Sequence, residues 1–239
     1  MPRRKTGIVV SCEHAGNRVP TAYRSLFRGH AGALKSHRGW DPGALDLARA
    51  VAFACHAPLL ANTTTRLLVE CNRSIGSAEL FSEFTRDLDT SEHMRLLVTH
   101  YLPHRRAVDI AVRRALRRHE RVVHIGVHTF TPVLGGKRRS ADLGLLYDPS
   151  RRFEVEVAGA LATSLRAFGP TLRVRRNYPY RGWTDGLTTT LRRRFSAQGY
   201  AGIEIEVNHA LMRKPVVWKQ VKRALADAAR AGIQLSQDF

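Results

Sequence analysis

The chain has 239 residues, 44% of them hydrophobic and 25% charged, which fits a folded protein with a sizeable core and excludes an intrinsically disordered one. The cysteines Cys12, Cys55 and Cys71 form no CxxC pair, so neither a disulfide framework nor a zinc ribbon is indicated. Basic residues outnumber acidic ones 39 to 20, a net charge of +19 that admits an anionic partner.

Residues 7–12 (Gly-Ile-Val-Val-Ser-Cys) are a short apolar run that reads as a buried strand, ending in the polar loop Glu13-His14-Ala15-Gly16-Asn17. The run is too short for a signal-peptide core, and no segment approaches the ~18–20 apolar residues of a membrane span. With its unpaired thiols, the chain is expected to be cytoplasmic. Asp41-Pro42 reads as the cap and first position of a helix running through Ala54. Residues 58–62 and 66–70 are two further strand candidates. Residues 91–120 have helical spacing, with Ser91 as the cap and a break near Pro103.

The second half alternates more regularly. Residues 121–128 form a β-branched strand that ends on His128, and 143–147 form another. A helix over 154–168, a strand over 171–176, a helix over 186–198, a strand over 202–207 and an amphipathic helix over 214–231 follow. Strands alternating with helices predict one α/β domain, residues 1–239, with a central parallel or mixed sheet.

Polar residues gather where such folds place function, at strand ends and in the loops after them. Glu13 and His14 follow the first strand, Asn72 and Arg73 follow another, and His128 ends a third. Glu204 and Glu206 share one face of the last strand by period two. His37 and Asp41 lie beside a helix start. Two histidines and a carboxylate can bind Zn²⁺ with a fourth position open, and a further carboxylate can serve as general base.

Other patterns carry less. His93, His100 and His104 share a similar face of the 91–120 helix but lack the acid of an HExxH motif, so they read as a solvated face. Gly135-Gly136-Lys137 lacks phosphate-loop spacing. Cys12 and His14 are not read as a nucleophilic pair. The arginine pairs and triplets lack the interleaved aromatics of a single-strand groove, which makes nucleic acid a minor alternative as partner. The turn-rich segment 177–182, with Tyr180, reads equally as an ordinary turn or a substrate loop.

Five segments in order give a family resemblance: Ser11 to Pro20, His37 to Ala44, Glu70-Cys71-Asn72-Arg73, His128-Thr129-Phe130-Thr131-Pro132, and Gly202 to Asn208. Together they resemble the N-formylglutamate amidohydrolase family. The resemblance implies a three-layer phosphorylase/hydrolase-like α/β fold with a mixed sheet, related to zinc carboxypeptidases. It implies hydrolysis of a linear amide, N-formyl-L-glutamate to formate and glutamate in histidine degradation, with one divalent metal ion, zinc being expected. The substrate would be a small anionic N-acyl amino acid.

By the same likeness, His14 and His128 are metal ligands and Asp41 is the third, with His37 or Glu13 as alternatives. Asn72 and Arg73 would hold a substrate carboxylate or the developing oxyanion, with Thr129 and Tyr180 adding substrate contacts. Glu206 is similar in place to the general base, with Glu204 the alternative. Glu70 stands where the family usually has Asp, and His209 where many members have Gln. The alternative readings are a related zinc amidohydrolase acting on another N-acyl amino acid or a cell-wall-type amide, and a basic nucleic-acid-associated protein on a hydrolase fold.

Overall fold

The computed structural model describes residues 4–235. Its strands are β1 (Arg4–Cys12), β2 (Leu59–Ala61), β3 (His119–Phe130), β4 (Val133–Leu134), β5 (Lys137–Arg138), β6 (Leu143–Leu146), β7 (Val174–Arg176) and β8 (Tyr200–Asn208). Its α-helices are α1 (Ala31–Lys35), α2 (Ala44–Ala54), α3 (Thr90–Leu96), α4 (Leu102–Leu116), α5 (Arg152–Phe168), α6 (Leu187–Arg192) and α7 (Pro215–Leu235). Six strands make one sheet in the order β2-β1-β3-β8-β6-β7, and β4 and β5 form a separate hairpin turned by Gly135-Gly136. β2, β1, β3 and β8 are parallel, whereas β6 runs antiparallel to β8. The architecture is therefore α/β around a mixed sheet, as the alternation of elements predicts.

The period of two divides the sheet into unlike faces. Val10 and Cys12 on β1, Val123, Ile125 and Val127 on β3, and Ile203, Ile205 and Val207 on β8 belong to one apolar cluster with α2, α5 and α7. Each such aliphatic side chain contributes roughly 1.5–3 kcal/mol when fully buried. The opposite face carries Ser11, His124, His128, Glu204 and Glu206, with α4 and α6 packed on its lower part through Val9, Val108, Val112, Val122, Leu187 and Leu191.

Several predicted elements shift. The helix expected from Asp41 begins at Ala44, after Gly43 at φ 83°, so Asp41 is not its cap. Residues 66–70 are turns, with Leu68 N–H donating to Thr65 O and Glu70 N–H to Leu80 O. Leu67, Leu68 and Val69 are apolar because they fill two small clusters beside α3 and α4, and a buried turn reads like a strand by composition. Asp89, not Ser91, caps α3, accepting from Glu92 N–H. The break near Pro103 is a π-helical turn, Leu97–Tyr101, which joins α3 to α4 where proline lacks an N–H. The helix expected over 186–198 closes at Arg192, after which Arg194 and Phe195 N–H turn back onto Leu191 O.

Part of the positive charge is structural. Buried Arg192 makes two contacts with the fully buried Glu154, at 2.8 and 2.9 Å, and donates to Gly202 O, tying α6 and α5 to β8. Arg113 and Arg194 share Asp109. Among the described residues no helix is long and apolar enough to cross a membrane.

Candidate active site

β1, β3 and β8 deliver their polar residues to one end of the sheet. His14 lies two residues beyond β1, His128 sits near the end of β3, and Glu206 is its register partner on β8. Asp41 N–H donates to His14 O, which brings the loop before α2 to the same place. Nδ1 of His14 and Nδ1 of His128 both lie 3.1 Å from Oδ2 of Asp41. Ligand-type atoms of His14, Asp41 and His128 all lie within 4.8 Å of one another, and the three residues are buried. Two nitrogens and one oxygen converging in this way form a donor set suited to zinc.

The outer ring nitrogens have partners of their own. Nε2 of His14 lies 2.5 Å from Oε1 of Glu70, and Nε2 of His128 stands 3.1 Å from Oε2 of Glu13, an ion-pair contact off the hydrogen-bond axis. Carboxylates behind histidines fix ring orientation and raise ligand basicity at metal centres. Glu13 thus stands behind His128, not beside Asp41 in the donor cluster. His37, the other alternative, is exposed and outside that cluster. Arg66 braces the arrangement, with Nε 2.6 Å from Glu70 and Nη1 3.4 Å from Asp41.

Burial opposes the charge on these carboxylates, but their partners prevail. The His14 charge, hydrogen bonds from both histidines, and Arg66 hold Asp41 well below the carboxylate range. Arg66 and His14 do the same for Glu70, and His104 and His128 do so for Glu13. Burial and Arg66 push His14 down, yet Glu70 and Asp41 raise it overall; Asp41 and Glu13 raise His128 well above its usual range. Three buried carboxylates facing two histidines create a demand for positive charge, which protons or a bound cation can meet. Glu206 behaves oppositely. Burial, reinforced by the Asp41 and Glu204 charges, pushes it up to about 8 despite His128, and its Oε2 is buried without a hydrogen-bond partner.

The other expected residues occupy varied positions. Glu204 Oε1 accepts from Thr188 Oγ1, whereas Glu206 has an oxygen that is buried without a hydrogen-bond partner. Thr129 N–H lies 3.4 Å from Asp41 Oδ2 and its hydroxyl donates to Pro42 O, which directs it to holding Asp41. Asn72 Oδ1 accepts from Leu187 N–H at the start of α6. Arg73 contacts Glu79 through Nε at 2.6 Å and reaches Asp185 O through Nη1. Tyr180 is exposed at 43% and accepts from Arg139. Its loop lies against β6, since a Cβ on Gly144 would fall 1.7 Å from Tyr178 O and 3.4 Å from Glu206 Cβ.

Sequence reasoning missed Glu70, Arg66 and His104 as parts of the site. His104, expected on a solvated face, is buried and lies 3.2 Å from Glu13 Oε1. Its register on α4 turns it inward, beside Arg105, toward the polar sheet face. His93 stacks on Phe81 at 4.0 Å and contacts Thr85 O, a packing role. Cys12 lies in the apolar core, where burial raises its thiol, so it forms no nucleophilic pair with His14.

A mixed α/β sheet with two histidines and two acids converging at the ends of its central strands has the layout of a hydrolytic centre. The family model of N-formylglutamate amidohydrolase matches residues 6–213. A gene product of Agrobacterium tumefaciens with a solved structure is 30% identical, covering 97% of this chain and 92% of its own, with a TM-score of 0.80. The N-formylglutamate amidohydrolase from Ralstonia eutropha JMP134 is 18% identical over 97% of this chain and 95% of its own, with a TM-score of 0.70, a likeness of fold. None of the curated proteins matches. The chain belongs to the N-formylglutamate amidohydrolase family. Helix α7 follows the matched region yet packs on the same apolar sheet face.

Proposed function

We propose that the protein is a metal-dependent amidohydrolase that cleaves the linear amide of an N-acyl amino acid, N-formyl-L-glutamate giving formate and L-glutamate. The observation that carries this reading is the convergence of both Nδ1 atoms on one oxygen of Asp41, with the unpartnered Oε2 of Glu206 on the neighbouring strand. His14, Asp41 and His128 would hold the ion, with Glu70 and Glu13 fixing the two rings. When bound, a zinc ion supplies Lewis-acid polarisation of the acyl oxygen and acidifies water.

The protein's own groups do the rest. Glu206 takes a proton from the attacking water as its oxygen bonds to the acyl carbon, and delivers that proton to the nitrogen as the C–N bond breaks. Burial raises Glu206 in the metal-free protein, and a bound cation would favour its carboxylate form, bringing it toward the range suited to proton exchange near neutral pH. Asn72 and Arg73 orient the substrate through its α-carboxylate, for which a guanidinium offers a planar fork. The test is elemental analysis of the purified protein followed by assay on N-formyl-L-glutamate. About one divalent ion per chain and release of formate are expected. No metal, with no activation by added zinc, would overturn the reading.

A further inference from the structure

Arg66 and Arg73 already face carboxylates, buried Glu70 and Asp41 for the first and, for the second, the largely exposed Glu79, which a substrate carboxylate can displace. Arg139 does not. It follows β5, and its half-buried guanidinium lies 4.9 Å from the ring centre of Tyr180 and 5.8 Å from that of Phe130. Its Nη1 reaches Tyr180 Oη at 3.1 Å and Thr131 Oγ1 at 3.5 Å, and its backbone N–H donates to Pro132 O. No acidic side chain among the described residues is paired with it.

Its contacts place that charge on segments that adjoin the site. Phe130 and Thr131 are two and three residues past His128. Tyr178, two residues before Tyr180, puts its carbonyl oxygen 1.7 Å from where a Cβ on Gly144 would fall, and Gly144 is the register partner of Glu206, so the loop that carries Tyr180 borders the site. The result is a guanidinium held by two aromatic rings and two hydroxyls, a geometry with little entropy left to lose when an anion docks.

We propose that Arg139, seated between Phe130 and Tyr180, is the receptor for a side-chain carboxylate and restricts the protein to N-acyl derivatives of acidic amino acids. The assignment rests on the amidohydrolase reading above and adds a second anion contact to it. Arg73 takes the α-carboxylate common to all N-acyl amino acids, and Arg139 takes the group that distinguishes glutamate from glutamine. A neutral amide in that place leaves the guanidinium without its counter-charge and forfeits a charge-assisted hydrogen bond.

The test compares wild type, Arg139→Met and Arg139→Lys on N-formyl-L-glutamate and N-formyl-L-glutamine, with calorimetric binding of L-glutamate and L-glutamine to the same proteins. The wild type should favour the glutamate substrate. Arg139→Met should lose ~10–100-fold in kcat/KM on it, mainly through KM, while its rate on the glutamine substrate stays unchanged. Arg139→Lys should recover part of the loss. Equal losses on both substrates would show that Arg139 only latches the hairpin to the Tyr180 loop, and no loss would also overturn the assignment. If the wild type hydrolyses neither substrate, the amidohydrolase reading fails. The binding arm still decides on Arg139: selective glutamate binding lost in Arg139→Met supports it, and equal binding of both amino acids overturns it.

Discussion

The two faces of the central sheet are built from the same three strands and do opposite work. On β8, Ile203, Ile205 and Val207 point into the apolar cluster, while Glu204 and Glu206 alternate with them toward the site. On β3, Val123, Ile125 and Val127 alternate with His124 and His128 in the same way. The apolar face is redundant, with many side chains sharing the burial. The polar face is not, because each buried charge there depends on a named partner and loses its compensation when that partner is removed. Damage to the first face should therefore lower stability, and damage to the second should lower chemistry or metal binding.

The largest effect is expected from Glu206→Gln. It keeps the shape and removes the proton acceptor, so turnover should fall ~10²–10⁴-fold with the metal retained. Glu204→Gln should be mild by comparison, because its carboxylate accepts from Thr188. The reverse pattern in steady-state kinetics would make Glu204 the base. Ile205→Ala, one residue away on the other face, should instead cost ~2–5 kcal/mol in urea unfolding while metal content and activity per folded molecule stay intact. A fall in kcat as large as that of Glu206→Gln would break the separation of the faces.

A smaller effect sharpens the polar face. Glu13→Gln leaves His128 in place but removes the carboxylate behind it, so zinc affinity measured against a competing chelator should fall ~10–100-fold. His104→Asn, one contact further out, should weaken affinity less. Unchanged affinity in both variants would reduce Glu13 and His104 to packing residues.

These contacts mark where sequence reasoning stops. The alternation around Glu204 and Glu206 is local, and period two puts both on one face of a central strand. His14 and His128 are legible because strand ends follow from apolar runs. The partners behind them are not: Glu70 lies 56 residues from His14 and His104 lies 91 from Glu13. No periodicity links such positions; only the closed sheet does. The same limit explains why residues 66–70 read as a strand. Leu67, Leu68 and Val69 are as buried as a strand would be, but under helices, with turns satisfying their backbone. Asp41, with Pro42 after it, reads as a helix cap, yet its carboxylate meets two histidines and Arg66 instead of the helix backbone.

The most direct measure of how unlike the faces are is a stability slope with pH in chelator-treated protein. Glu206 is raised by burial from its usual range to about 8, so between about pH 4.5 and 8 the folded state binds a proton that the unfolded state releases. Its contribution is present at the acid end and is lost as pH rises toward 8, at up to ~1.4 kcal/mol per pH unit. His14 and His128, raised by their carboxylates, give the same sign above the ordinary histidine range. Asp41, Glu70 and Glu13, held low, contribute above the ordinary carboxylate range and lose that contribution as pH falls through their folded values. The difference between wild type and Glu206→Gln reports the glutamate together with its coupling to His128, Asp41 and Glu204. Urea unfolding of the two proteins at pH 5 and pH 8 should show the wild type losing more stability across that interval than the variant. Equal losses would mean that Glu206 is solvated and ionised in the folded protein, and its assignment as a buried base near neutrality would fall with that result.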